Sequence, residues 1–167
     1  MTLRIAGMTN DSIVDGPGLR LTIYVQGCPH HCDGCHNPQT HSFEAGTNMD
    51  ICDILSKVRN NPLLDGVTFS GGEPFCQAEA LSELGKNIHE MGLNVVTYTG
   101  YTFEWLMEHF DENHIGNLLS VTDLLIDGPF IKDKQSYQVR FRGSSNQRIL
   151  DCKESICCGY AVNADMV

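Results

Sequence analysis

The chain has 167 residues, 41% of them hydrophobic and 19% charged, which suits one domain with a hydrophobic core. A net charge of −10 argues against non-specific binding to nucleic acids or membrane surfaces. No apolar run approaches the roughly 20 residues that a bilayer span needs, and residues 1–7 lack the apolar core of a signal peptide. We therefore expect a cytoplasmic protein with no nucleic-acid or membrane partner.

The first half of the chain contains two predicted strands and one predicted helix. Residues 21–26 are β-branched and aromatic and lie between glycines, a pattern typical of a strand. A loop rich in Cys, His, Asn and Pro follows. Apolar residues recur at helical spacing over 51–58, with Asn48 or Asp50 as the candidate cap. Residues 66–70 then predict a second strand.

The second half continues the same alternation. Apolar residues between 81 and 91 mark one helix face, which Gly92 ends, and residues 93–98 predict a third strand. Thr102 can cap a short helix, and residues 124–126 predict a fourth strand. Regular alternation of strands and helices predicts a parallel sheet with right-handed crossovers. Because a closed eightfold barrel takes about 250 residues, we expect an α/β fold of the open partial (βα) barrel type, as a single domain over residues 1–167.

The unusual residue clusters all follow the ends of predicted strands. They are a cysteine-rich loop, Gly71-Gly72-Glu73-Pro74, Thr99-Gly100-Tyr101 and Asp127-Gly128-Pro129. Ligands bind at the carboxyl ends of strands in α/β sheets. We therefore expect the four clusters to converge on one site.

Eight cysteines in a chain without a recognisable export signal indicate metal binding or catalysis rather than disulfides. Cys28, Cys32 and Cys35 lie on one short loop and can surround one face of a metal centre. A structural zinc site is closed by four ligands, whereas a reactive site keeps one position open. An iron–sulfur cluster held by three thiolates leaves one iron for an external ligand. The alternative is a zinc site with a histidine of this loop as the fourth ligand.

The segment Gly71-Gly72-Glu73-Pro74 favours the cluster. Consecutive glycines at a strand end allow a ligand to approach the backbone, and Glu73 offers an acceptor for a cationic group. The remaining cysteines are simpler to interpret. We expect Cys52 and the tail cysteines Cys152, Cys157 and Cys158 to be small buried residues.

At this point the sequence resembles the radical S-adenosylmethionine (SAM) superfamily, whose signature is a three-cysteine loop with these spacings. Residues 14–20, Val-Asp-Gly-Pro-Gly-Leu-Arg, are similar to the activases of glycyl radical enzymes. Residues 99–101, 126–130 and 142–148 resemble the branch that activates anaerobic ribonucleoside-triphosphate reductase. The resemblance runs from about residue 10 to residue 151, and it implies a radical SAM type of partial barrel.

The resemblance also implies roles for individual residues. Cys28, Cys32 and Cys35 would hold a [4Fe-4S] cluster, and Asp15 would contact the glycine loop of the partner protein. Contacts with SAM are implied for nine residues: Gly34, Cys35, His36, Gly71, Gly72, Glu73, Thr97, Thr99 and Asp127.

The implied reaction is one-electron cleavage of SAM, followed by hydrogen abstraction from a glycine of the partner. No catalytic side chain beyond the cluster and SAM is implied. The expected partners are the large subunit of the anaerobic reductase and a low-potential electron donor such as flavodoxin. An activase of the pyruvate formate-lyase type and a non-enzymatic zinc-binding module are the alternatives.

Overall fold

The computed structural model describes residues 1–165, which form a mixed α/β fold around one seven-stranded sheet. Its strands are β1 (Thr2–Ser12), β2 (Arg20–Val25), β3 (Thr47–Asp50), β4 (Gly66–Gly71), β5 (Asn94–Tyr98), β6 (Leu124–Asp127) and β7 (Arg148–Asp151). Its helices are α1 (Ile51–Arg59), α2 (Ala78–Glu90), α3 (Phe103–Glu108), α4 (Ile115–Val121) and α5 (Cys152–Cys158).

The sheet is open, in the order β3-β1-β2-β4-β5-β6-β7. The four predicted strands are its centre, and β2, β4, β5 and β6 pair in parallel as expected. The sequence did not predict β1, β3 and β7, which add antiparallel pairs at both sides of this parallel centre and make the sheet a mixed one. The parallel centre needs crossover connections, and the intervening helices supply them.

Helix caps predicted from the sequence are present. Asp50 accepts a hydrogen bond from the backbone N–H of Cys52 at the start of α1, and Thr102 accepts one from Trp105 at the start of α3. Gly92 follows α2 with a φ of +79°, a left-handed conformation that suits glycine. These local signals fix where the helices begin and end.

Successive side chains of a strand point to opposite faces of the sheet. In the central strands, one of these faces is apolar and the other is largely polar. Leu21, Ile23, Phe69, Val95 and Leu125 belong to the hydrophobic core. This core also includes apolar side chains from α1, α2 and α4. The opposite face carries polar groups, including Arg20, Thr22, Thr68 and Tyr98, and the first three are buried. The candidate site lies at the carboxyl end of this polar face.

In the part of the chain that the structure describes, no helix has the length and apolar character needed to cross a membrane. The cysteines outside the three-cysteine loop differ in burial. Cys152 is buried as predicted, but Cys52, Cys157 and Cys158 are exposed, so the prediction of burial was wrong for these three. They lie on helix faces turned to solvent, a direction that residue type alone does not reveal.

Candidate functional site

A cavity of about 640 Å³ opens at the carboxyl ends of the parallel strands. The prediction that four clusters converge there is confirmed, since each contributes to the wall. The wall includes Cys28, Cys32 and Cys35 after β2, Gly71 and Gly72 at and after the end of β4, Thr99 and Gly100 after β5, and Gly128 after β6. This volume lies within the range typical of small-molecule sites.

The cysteine loop is held at both of its ends by the segment that follows it. The backbone N–H of Gly27 donates to Thr40 (2.7 Å) and that of Cys28 to His41 (3.1 Å). At the other end, the N–H of Asn37 lies 3.4 Å from the sulfur of Cys35. These bonds tie both ends of the cysteine loop to residues 37–41.

Burial raises the pKa of the Cys28 thiol to about 11, and the nearby Glu73 carboxylate adds to the effect. A buried thiol in such surroundings stays protonated until a metal centre replaces the proton. Cys28 is therefore a group whose ionised form requires a positive partner.

The donor set fits an iron–sulfur cluster. Cys28, Cys32 and Cys35 are free thiols, and all three line the same cavity. The thiolates of a cubane bind separate irons, so three cysteines that line one cavity suit such a cluster. The wall also carries a polar atom with no protein partner within the described chain, Nε2 of His41. A bound group in the cavity would give this nitrogen a partner.

Gly71 and Gly72 bring the end of β4 against the start of the cysteine loop. A Cβ at Gly72 would lie 2.3 Å from the carbonyl oxygen of Gly27, and one at Gly71 would lie 2.6 Å from Cα of Tyr24. The N–H of Gly72 donates to Val25 (2.8 Å). The glycines thus permit close backbone packing as well as lining the cavity.

Glu73 does not line the cavity. Its side chain is 0% exposed, and both oxygens already accept hydrogen bonds from protein groups. Oε1 accepts from the N–H of Gly100 (2.8 Å) and lies 2.6 Å from Nε2 of His30. The hydroxyl of Thr99 donates to both oxygens, at 2.8 and 3.0 Å. This carboxylate links segments of the protein rather than facing a ligand.

Thr97 and Asp127 also lie away from the cavity, because they point to the helix-covered face. Thr97 is buried and its hydroxyl is 2.9 Å from that of Thr122. Asp127 is buried, accepts from the N–H of Phe103 (2.7 Å) and pairs with Arg148. This arrangement does not support a contact between SAM and the side chain of Thr97 or Asp127.

His36 lines the cavity, whereas its neighbour Gly34 does not. Gly34 has a φ of +73°, which turns the loop before the third cysteine. The ring of His36 packs against Phe130 with centroids 5.0 Å apart. Nε2 of His36 lies 3.2 Å from the side-chain nitrogen of Gln135. Of this pair, His36 is therefore the one placed to meet a ligand.

Asp15 reaches the cavity from the segment before β2. Its carboxylate accepts from the hydroxyls of Ser12 (2.6 Å) and Thr22 (3.0 Å). Its carbonyl accepts from Thr68 (2.7 Å), which also accepts from the buried Arg20 (2.7 Å). Burial lowers the pKa of Arg20 to about 10, and nearby acidic groups oppose that change. This network fixes Asp15 at the cavity edge.

Sequence reasoning missed part of the cavity wall. Tyr98, whose hydroxyl donates to the carbonyl of Phe141 (2.5 Å), lines it together with residues of 135–143. Burial raises the pKa of Tyr98 well above its ordinary value. Alternation along β5 places Tyr98 opposite to the core residue Val95, a signal that was available in the sequence. Residues beyond 132 carry no periodic pattern. The motif over 142–148 carried part of the family resemblance, but it did not predict that Arg142 and Gly143 line the cavity.

Comparison with known proteins decides the family. A family model described as a 4Fe-4S single cluster domain matches residues 14–150. The chain belongs to this family of iron–sulfur proteins. The match covers every predicted cluster ligand, so the prediction of a [4Fe-4S] cofactor is confirmed.

Several proteins that are similar to the chain are named as activating proteins. The chain is 32% identical to the anaerobic ribonucleoside-triphosphate reductase-activating protein of Haemophilus influenzae, over 82% of this chain and 90% of that protein. It is 35% identical to the protein of that name from Pasteurella multocida, again over 82% of this chain and 90% of that protein. The recognition of a radical SAM activase of glycyl radical enzymes is confirmed by these relatives.

Two further similarities cover less of the other protein. The pyruvate formate-lyase-activating enzyme of Clostridium pasteurianum is 37% identical over 65% of this chain, which spans about half of that enzyme's length (49%). The crystal structure of QueE from Escherichia coli superposes with a TM-score of 0.52 at 20% identity, covering 61% of this chain and 54% of that one. The likeness to QueE concerns the fold alone.

Proposed function

We propose that this 4Fe-4S domain is an activase that cleaves SAM reductively and generates a glycyl radical on anaerobic ribonucleoside-triphosphate reductase. The observation that carries the proposal is that three thiols and the Gly71-Gly72 turn line one cavity at the strand ends. The named relatives support the choice of partner. We also infer that the open sheet is a partial barrel, and the likeness to QueE supports that form.

When bound in the cavity, the cofactors would supply the chemistry: one electron from the cluster, and a 5′-deoxyadenosyl group that abstracts hydrogen from a glycine of the partner once the sulfur–C5′ bond of SAM has broken, with methionine as the other product. The residues of the chain bind and orient. Cys28, Cys32 and Cys35 would hold the cluster, and the backbone of Gly71 and Gly72 would receive the methionyl group. Asp15 would meet the partner at the mouth of the cavity.

Exclusion of water is the other task of the protein, because a radical reacts with any nearby hydrogen donor. Ile13, Val14 and Tyr137 are among the residues that line the cavity. These three side chains are 71%, 69% and 93% exposed. Apolar side chains exposed around a cavity mouth suit a protein partner. We infer that the glycine loop of the partner closes this opening.

The proposal is tested by mixing anaerobically reconstituted protein with SAM, reduced flavodoxin and each candidate partner in turn. Electron paramagnetic resonance then detects any glycyl radical. We expect the radical on the anaerobic reductase. A radical on pyruvate formate-lyase alone would assign the second candidate, which the similarity over 65% of this chain favours. No radical on either partner, despite an intact cluster, would refute the activase. A non-enzymatic zinc module is set aside by the family match.

A further inference from the structure

His30 occupies the middle of the cysteine loop, between Cys28 and Cys32. It lines the cavity, and its side chain is 16% exposed. Its Nε2 lies 2.6 Å from Oε1 of Glu73, whose side chain is 0% exposed. The described loop therefore has a polar anchor between two of its thiols.

The direction of this hydrogen bond follows from the other partners of the carboxylate. The backbone N–H groups of Gly100 and Phe75 can only donate, and they bond to Oε1 (2.8 Å) and Oε2 (3.0 Å) of Glu73. Both oxygens therefore act as acceptors, and Nε2 of His30 donates. The single carboxylate thus joins the loop after β2 to the turn after β4 and to the segment after β5.

The imidazole ring of His30 is confined by its neighbours. It packs edge-on against Tyr101, with centroids 4.4 Å apart, and Tyr101 stacks on Trp105 at 3.9 Å. A Cβ at Gly100 would lie 2.5 Å from the ring, so only glycine leaves enough space. In this position the ring contacts Tyr101 and reaches Glu73 at the same time.

We propose that His30 is a positioning residue for the cluster. Its hydrogen bond to Glu73 holds the cysteine loop against the ends of β4 and β5, so that the three thiols are arranged before the cluster is inserted. Glu73 acts through His30, Thr99 and Gly100, and it does not accept the amino group of SAM. The inference rests on the proposed function, because it requires a cluster at these cysteines.

Two substitutions separate the hydrogen bond from the ring. His30→Phe keeps an aromatic ring against Tyr101 but removes the donor. His30→Gln removes the ring but places an amide N–H at a similar distance from the backbone, where it can donate to Glu73. The measurement is the rate at which an iron chelator removes the cluster from anaerobically reconstituted protein, followed by visible absorbance. The unfolding temperature of each apoprotein is measured alongside.

We expect His30→Phe to lose its cluster about 10- to 100-fold faster than the unsubstituted protein, the usual range for partners of metal ligands. His30→Gln should restore the rate to within about threefold, because it keeps the donor. Equal rates for the unsubstituted protein and His30→Phe would overturn the inference, as would equal acceleration in both variants. If His30→Phe does not fold, His30→Asn replaces it, since its amide is too short to reach Glu73.

Failure of the proposed function gives a different result. In that case the unsubstituted protein itself would hold no cluster, or would hold one that does not cleave SAM. The comparison of variants therefore tests His30 only when the unsubstituted protein has bound its cluster.

Discussion

At the residue scale, close backbone contact shapes the site. The carbonyl oxygen of Gly27, which begins the cysteine loop, accepts from the N–H of Glu73 at 2.8 Å. This contact passes beside Gly72, where a Cβ would have no room. The path of the cysteine loop therefore depends on the absence of one side chain in the following turn.

Substituting Gly72 with alanine should displace the loop. We expect Gly72→Ala to lower the unfolding free energy by about 1–3 kcal/mol, typical of overpacking, which is several degrees in unfolding temperature. Gly7→Ala is the control, because a Cβ there has nothing within 4 Å and its φ is ordinary. Thermal unfolding followed by circular dichroism measures both, and equal stabilities would contradict the account.

At the element scale, Arg148 ties three elements together. Its guanidinium, on β7, donates to Oδ1 of Asp127 on β6 (3.0 Å) and to both oxygens of Glu104 on α3 (2.9 and 2.8 Å). These bonds raise the pKa of Arg148, with Asp127 contributing most. Hydrogen bonding to Arg148 lowers the pKa of Glu104. The antiparallel edge of the sheet is thus fixed by charge as well as by the strand ladder.

The two carboxylates should differ in their importance. Arg148→Met leaves the buried Asp127 without its cation and should cost about 3 kcal/mol of unfolding free energy. Glu104→Gln, whose side chain is 58% exposed, should cost less than about 1 kcal/mol. Chemical denaturation of both variants measures the difference. Equal losses of unfolding free energy in the two variants would show that the burial of Asp127 does not set the cost of removing Arg148.

The central strands could be predicted because they are short apolar runs bounded by glycines, as over 66–71. The strand β1 could not, because Gly7 and polar residues interrupt its alternation and β1 is stabilised by pairing with β2 and β3 on its two sides. The strand β7 has only four residues. The position of β7 in the sheet depends on its pairing with β6. No local sequence pattern predicts that pairing.

The site was predictable where position after a strand end decides it, as for Cys28 and Gly72. The site was not predictable where the direction of a side chain decides whether the residue faces the cavity. Leu125 packs in the core, and because Asp127 lies two residues further along β6, it points to the same face rather than to the cavity. The role of Glu73 was hidden for a different reason, since His30 is 43 residues distant in sequence.

At the scale of the whole molecule, the cavity mouth is rimmed by exposed apolar residues that we assign to the partner. Val14→Asp places a charge on this rim and should weaken binding of the reductase about fivefold or more, since interface anchors typically contribute more than 1 kcal/mol. Leu63→Asp is the matched control, because Leu63 is 74% exposed and is not among the cavity-lining residues described. Calorimetric titration measures both, and equal weakening would contradict the assignment.

The most direct test of the account is formation of 5′-deoxyadenosine from SAM by the anaerobically reconstituted, reduced protein. Cys32→Ala removes a predicted cluster ligand, whereas Cys52→Ala removes an exposed cysteine on α1 that is not among the cavity-lining residues described. We predict that the unsubstituted protein and Cys52→Ala form the product and that Cys32→Ala forms none. Turnover by Cys32→Ala equal to that of Cys52→Ala would contradict a cluster held by the three-cysteine loop.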